Sequence, residues 1–262
     1  MTGPPTVLLL GGTTEATAIA TELGHRAEAD RGPELELLVS FAGRTTAPSV
    51  PYGRTRTGGF GGVDGLIAAL RAERVLAVVD ALHPFAAVMP FHAHDACQAT
   101  AIPLVKVVRP PWSPEAGDAW TTVGAMADAP GALAATGGRR ALLTVGRQDL
   151  DPFRLIEGIG FVVRSIEAAD LSGAWDATGL LDRGPFTVDD EVDLLRRERI
   201  DVLVTKNSGG TATAAKLTAA HRLSIPVVVI DRPTMPAVQR VATAADAIAW
   251  LDGVLAGDQP SG

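Results

Sequence analysis

Gly11-Gly12-Thr13-Thr14-Glu15-Ala16 sets two glycines, two hydroxyls and a carboxylate directly after an apolar run. Against a dinucleotide fingerprint, Gly-x-Gly-x-x-Gly or Ala, only Gly11 and Ala16 fit, yet the physical requirements are met. Glycines permit the tight turn, and the free N–H groups of a following helix point at a pyrophosphate. Thr13 and Thr14 add hydroxyl donors. The alternative is a plain strand-to-helix turn in which Glu15 serves only the helix dipole. A second group is Ser40-Phe41-Ala42-Gly43-Arg44. Folds selective for NAD place a carboxylate here for the ribose 2′-hydroxyl. This chain offers Arg44 instead, the residue suited to the 2′-phosphate of NADP. Taken alone Arg44 also reads as a solvated surface arginine; taken together the two motifs favour NADP.

Gly58-Gly59-Phe60-Gly61-Gly62 lets backbone approach a ligand closely, with Phe60 as a stacking surface. It also reads as a flexible connection with Phe60 tucked into the core. In Asp80-Ala81-Leu82-His83-Pro84-Phe85, the proline after His83 favours an extended backbone at the histidine and suits the start of a helix. That sets an imidazole at the sheet edge where a nicotinamide would lie, which makes His83 the candidate catalytic residue, as a proton donor. A structural histidine is the alternative. His92 and His94, two residues apart on a helix, point in different directions, so no metal site is expected.

In the second half, Arg147 of Thr144-Val145-Gly146-Arg147-Gln148 follows a strand and can meet an anion. Thr205-Lys206-Asn207-Ser208-Gly209-Gly210-Thr211 follows another and opens the helix containing Lys216. A lysine, two polar side chains and two glycines at a helix start form an anion site. It is not a P-loop, because the Gly-Lys-Ser/Thr order is absent. An ordinary helix cap with a solvated lysine is the alternative. Arg232 falls on the same rim, whereas Arg139 and Arg140 precede their strand and belong to the opposite, structural end.

These groups need elements that bring them to one edge. Strands are expected at 6–10, 34–40, 54–57, 75–80 and 104–108, with helices at 14–23, 63–71 and 86–99 between them. Residues 109–118, with three prolines in their first six positions, break the pattern and read as a linker. Strands resume at 141–145, 160–163, 202–205 and 227–230, with helices near 189–197, 211–223 and 244–255. Such alternation builds parallel sheets from βαβ units, and ligands collect at the carboxyl ends of the strands. The expected fold class is therefore α/β: two Rossmann-like domains with mainly parallel sheets and the active site in the cleft between them. Residues 1–110 form the dinucleotide-binding domain, and 119–256 a second α/β domain that closes the substrate cleft.

Composition narrows the classes. The chain has 262 residues, 47% hydrophobic and 20% charged, enough to build a core. Its longest apolar run near the start, Val7–Leu10, is too short for a membrane span. Cys97 stands alone, so no internal disulfide is possible, and a reducing, cytoplasmic setting is expected. A net charge of -7 argues against nucleic acid as a partner. It also requires that positive groups be gathered locally for any anionic ligand.

The order of six motifs resembles the precorrin-6A reductase family. They are Leu-Leu-Gly-Gly-Thr-Thr-Glu-Ala (9–16), Ala-Gly-Arg (42–44), Gly-Gly-Phe-Gly-Gly (58–62), Asp-x-x-His-Pro-Phe-Ala (80–86), Lys-Asn-Ser-Gly-Gly-Thr (206–211) and Ile-Pro-Val-Val-Val-Ile-Asp-Arg-Pro (225–233). Leu82 stands where the family usually carries threonine, which removes a hydroxyl from that position. The resemblance implies an NADPH-dependent reductase of cobalamin biosynthesis that delivers hydride to C19 of precorrin-6A, giving precorrin-6B. A cobalt-precorrin-6A reductase of the anaerobic route is similar enough to stay open. So do a tetrapyrrole lyase or synthase and a non-catalytic nucleotide sensor. The implied partner is a polycarboxylate tetrapyrrole, and the chain is expected to be a monomer or small homo-oligomer. Candidate NADPH-binding residues are Gly11, Gly12, Thr13, Thr14, Glu15, Ser40, Arg44, Gly59, Phe60, Lys206, Asn207 and Ser208. Arg44, Lys206, Arg147 and Arg232 are the cations available to carboxylates, and sequence leaves them undivided between cofactor and substrate.

Overall fold

The computed structural model describes residues 4–30, 34–41, 50–173 and 175–257. The chain divides into two units, residues 1–109 with 234–262, and residues 110–233.

In the first unit β1 (Thr6–Leu10) is buried along its whole length, as expected of a strand covered on both faces. α1 (Thr14–Glu28), β2 (Glu36–Phe41), β3 (Arg54–Thr57), α2 (Gly62–Ala72), β4 (Val75–Asp80), α3 (Met89–Thr100) and β5 (Leu104–Val107) follow. In the second unit the order is β6 (Trp120–Val123), α4 (Ala129–Ala135), β7 (Arg140–Thr144), β8 (Gly160–Ser165), β9 (Ala177–Leu181), α5 (Val188–Arg197), β10 (Val202–Lys206), α6 (Ala215–Arg222) and β11 (Val227–Ile230). The chain then returns to the first unit as β12 (Gln239–Val241) and α7 (Ala244–Leu255).

The first sheet runs β12-β5-β4-β1-β2-β3 and the second β6-β11-β10-β7-β8-β9. Every strand pair in both is parallel. Read from its three-strand end, each sheet has the doubly wound order 3-2-1-4-5-6. The sixth strands are exchanged along the chain. β6, directly after the linker, completes the second sheet, and β12, after the second sheet is finished, completes the first.

The expected second domain, 119–256, is therefore corrected at its C-terminal end. β12 pairs with β5 through Gln239 to Val241, and α7 buries Ala247, Ile248 and Leu251 with Ile19, Val79 and Val105 of the first unit. On the other face of the same sheet, Leu66 and Leu70 of α2 and Ala93, Ala96 and Cys97 of α3 pack on Leu8, Leu10 and Val78. In the second unit, Leu194 and Leu195 of α5 and Leu217, Ala219 and Ala220 of α6 cover Leu142, Leu203 and Val229.

Two helices begin later than expected. α3 starts at Met89, because residues 84–88 form a turn in which the Ala86 N–H donates to the His83 carbonyl. α6 starts at Ala215 and lacks a side-chain cap, so the 206–211 loop does not open it directly. Gly209 and Gly210 both take left-handed backbone, φ 66 and 75, which no helix continues.

Candidate functional site

In the first sheet the strand order reverses between β1 and β4, and the loops after these strands flank that switch point. The Gly11 N–H donates to the Ser40 carbonyl at 2.9 Å, and a Cβ on Gly11 would press on the Val39 side chain at 3.1 Å, so any larger residue there must push Val39 aside. Gly12, at φ 118, is exposed, with open space where a Cβ would stand. Thr13 caps α1. Its hydroxyl accepts from the Ala16 N–H at 3.2 Å and donates to the Ala81 carbonyl at 2.7 Å, which ties the first loop to the loop after β4. Thr14 is exposed beside it and donates to Glu15.

Glu15 does more than serve the dipole. Both its oxygens accept from Arg109 Nη1, at 3.0 and 2.9 Å. Partial burial raises the carboxyl pKa, but the Arg109 hydrogen bonds and charge outweigh it, and the net shift is downward. The pair holds Arg109, at the end of the first stretch of this unit, against the first turn of α1.

Arg44 lies outside the described residues, as do Ala42 and Gly43 of the same motif. Among the described residues, the strand ends beside them carry an arginine that no motif singled out. Arg56 of β3 donates to Ser40 Oγ at 2.9 Å and to the carbonyls of Gly58 and Gly59, each at 3.0 Å. Its guanidinium lies 3.7 Å from the centre of the Phe60 ring. Burial lowers the Arg56 pKa, the sign of a cation partly withdrawn from water. Phe60 is half-buried against the α2–α3 core and carries Arg56 on its ring, so the stacking partner present is the arginine. Ser40 is buried at the strand end and already holds a cation.

After β4, Asp80 and Lys106 form an ion pair at 2.6 Å with side chains 3% and 1% exposed. The other Asp80 oxygen accepts the Leu82 N–H at 3.0 Å. This buried pair shapes the loop that presents His83, which is exposed. The His83 Nδ1 accepts from the Phe85 N–H at 3.2 Å, leaving Nε2 as the proton-bearing nitrogen of the neutral ring. Nearby, burial and the Asp80 charge push the Cys97 thiol up to about 12, so it is an inert core thiol. Among the described residues no group of three or more His, Cys, Asp and Glu could hold a metal.

In the second unit the 206–211 loop is braced from beneath by the linker. The Asn207 side chain is buried, accepts the Trp112 N–H at 2.8 Å and donates to the Trp112 carbonyl at 3.1 Å. Both ends of its amide are thus engaged by the linker backbone. Trp112 Nε1 donates to the Gly210 carbonyl at 2.8 Å, and Lys216, also buried, places Nζ 4.6 Å from the centre of the Trp112 ring. Arg232 donates to the carbonyls of Asn207 and Ser208, so it braces this loop as well. Lys206 donates to Asp149 at 2.5 Å, and Arg147 stands 2.8 Å from Glu167. Ser208 is half-buried beside them. At the opposite end of β7, Arg140 donates to the Glu198 carbonyl at 2.7 Å.

Two all-parallel sheets in the 3-2-1-4-5-6 order, the first with a threonine-capped glycine turn at its switch point, define a doubly wound α/β protein. The family described as "Precorrin-6x reductase CbiJ/CobK" matches residues 6–252, and the chain belongs to it. A precorrin-6A reductase of Rhodococcus erythropolis is 48% identical, covering 94% of this chain and 96% of that one. One of Mycobacterium tuberculosis is 44% identical over 95% and 98%. A solved structure titled "CobK precorrin-6A reductase" superposes with a TM-score of 0.85 at 42% identity, covering 95% of this chain and 97% of that one. Relatives named cobalt-precorrin-6A reductase stand further off, that of Methanothermobacter thermautotrophicus at 29% identity over 87% and 76%. The expected family, the α/β class and the assignment as a reductase all agree with these findings. No helix among the described residues is long and apolar enough to cross a membrane.

Proposed function

We propose that this protein reduces precorrin-6A to precorrin-6B in cobalamin biosynthesis, in the cytoplasm, with NADPH as its reductant. The observation that carries the reading is the match to the reductase family across residues 6–252, nearly the whole chain. It fits a first unit whose glycine turn sits at the switch point, where dinucleotides bind in doubly wound folds.

The residues present suit the cofactor. Gly11, Gly12 and Thr13 give a turn, exposed at Gly12, that leads into the first turn of α1, a geometry that receives a diphosphate. Thr14 adds an exposed hydroxyl, and Glu15 fixes Arg109 beside it. Arg56 and Ser40 meet at the ends of β2 and β3, where a 2′-phosphate is read, with the Gly59 backbone next to Arg56; Arg44, four residues on from Ser40 in sequence, is the further cation proposed for that phosphate. When bound, NADPH supplies the hydride that adds to C19. To deliver the proton that completes the addition, His83 starts as imidazolium, with its Nδ1 released from the Phe85 N–H, and ends as neutral imidazole; otherwise water delivers the proton. In the second unit Lys206, Ser208 and Arg147 receive carboxylates of the substrate.

The test is incubation of the protein with precorrin-6A and NADPH deuterated at C4. Product heavier by the elements of added hydrogen, with deuterium retained on one face of the macrocycle and long-wavelength absorption falling as NADPH is consumed, is the expected result. Deuterium lost to solvent or oxygen would remove the direct-reductase reading. Activity confined to a cobalt-loaded substrate would move the enzyme to the other branch. For His83→Ala, a turnover loss below about fivefold would leave His83 as a positioning residue, since acid–base assistance contributes 10²–10⁴-fold.

A further inference from the structure

Two cations that the second sheet offers at its strand ends, Lys206 and Arg147, are already held by carboxylates of the same chain. Lys206 ends β10 and pairs with Asp149, which follows β7, the neighbouring strand. Arg147 follows β7 and pairs with Glu167, which follows β8, the next strand over. Each pair thus bridges two adjacent strand ends on the rim where ligands collect. Lys206 is 14% exposed, whereas its partner Asp149 is 40% exposed; in the second pair both partners reach solvent, Arg147 at 38% and Glu167 at 28%. A half-buried ammonium is costly to leave without a counter-charge, but an exposed carboxylate is readily returned to water. The Asp149 N–H donates to the carbonyl of Gly146, whose φ of 91 starts this turn, so the carboxylate can leave Lys206 by side-chain rotation.

We propose that Asp149 and Glu167 are internal competitors of the substrate, occupying its carboxylate positions until a polycarboxylate displaces both. This rests on the reading that Lys206 and Arg147 receive substrate carboxylates. The arrangement selects by charge number. A ligand with one carboxylate trades one ion pair for another and gains nothing, whereas a macrocycle bearing several replaces both pairs at once and brings its apolar ring surface with it. Inorganic anions, which supply no further contact, are discriminated against for the same reason.

The test uses the full chain and uroporphyrin I, a stable octacarboxylate macrocycle, titrated by fluorescence. Asp149→Asn and Glu167→Gln should each tighten the probe by about three- to tenfold, while the dissociation constant for NADPH stays the same. In a Lys206→Ala background, Asp149→Asn should bring no gain, which isolates the pairwise effect. Unchanged or weaker probe binding in both single carboxylate variants, with melting temperature retained, overturns the proposal and makes these residues positioning groups for the cations. The two layers separate cleanly. If Lys206→Ala and Arg147→Ala leave probe affinity untouched, the carboxylate-binding reading itself fails. If they weaken it but neutralising the acids does not strengthen it, the competitor role alone fails.

Discussion

Arg56 illustrates what single residues do here that motifs do not announce. It sits in a strand reading Arg-Thr-Arg-Thr, with no glycine or proline to mark it, and its reach to Ser40, Gly58 and Gly59 appears only once β2 and β3 are paired. Arg56→Ala should weaken NADPH by about ten- to a hundredfold, the worth of one charge-assisted contact, and leave NADH nearly unchanged. Equal losses in the two titrations would assign Arg56 to bracing the glycine loop. Glu15 carries a pH dependence. Its folded pKa is depressed, so the Glu15–Arg109 pair contributes stability at neutral pH that is lost as pH falls through that lowered value. Melting temperature measured from pH 6 downward should therefore fall less steeply in Glu15→Gln than in the unaltered chain once the pH passes below about 4.5. Asn207 has a use that spacing does not reveal. Between Lys206 and Ser208 it reads as a ligand, and its contact with the linker, some 95 positions away in the chain, appears only in the fold.

Among the elements, the 206–211 loop depends most on its neighbours. Gly209 has φ 66, and a Cβ there would run into the Pro110 carbonyl and the Arg232 guanidinium. Gly209→Ala should cost about 2–4 kcal/mol, strain and clash together, and raise the Michaelis constant for the tetrapyrrole. Gly12→Ala, with open space at the same point, should cost only the backbone strain of about 1–2 kcal/mol. Denaturant midpoints of the two variants decide this, and equal losses would show that the loop shifts to accommodate a methyl group. Element identity was legible wherever a buried apolar run was bounded by turn residues, as at Thr6–Leu10 and Val227–Ile230. The start of α6 was not, because nothing in Ser-Gly-Gly-Thr says that both glycines adopt left-handed backbone. β6, Trp-Thr-Thr-Val, β9, Ala-Thr-Gly-Leu-Leu, and β12, Gln-Arg-Val, escaped notice as short edge strands without a fully buried residue.

For the whole molecule, the missed edge strands β6 and β12 are the difference between a simple tandem of domains and the one observed. The linker at 109–118 was legible from its prolines, but no local pattern tells a chain which of two similar sheets a three-residue strand will join. The choice is made by α7, whose buried face belongs with the first sheet. A chain ending at Pro233 should lose that face and leave β5 as an unpaired edge, so its first unit should not fold. The fragment 110–233 has its own six strands and should fold alone. Dispersed amide spectra for a 1–109 fragment would contradict this.

The exchange also fixes a timetable. A ribosome makes residues 110–233 as one uninterrupted stretch, so the second unit has all its strands as soon as that stretch has emerged. The first unit, though its β1–β5 precede that stretch, must wait with its β5 edge open until β12 and α7 follow it. Nascent chains usually mature from the front; here the second unit is expected to mature before the first is complete. Its period of greatest exposure to aggregation and proteolysis is therefore set by the time taken to translate the intervening unit, and slow codons between 110 and 233 should lower yield more than slow codons before 110.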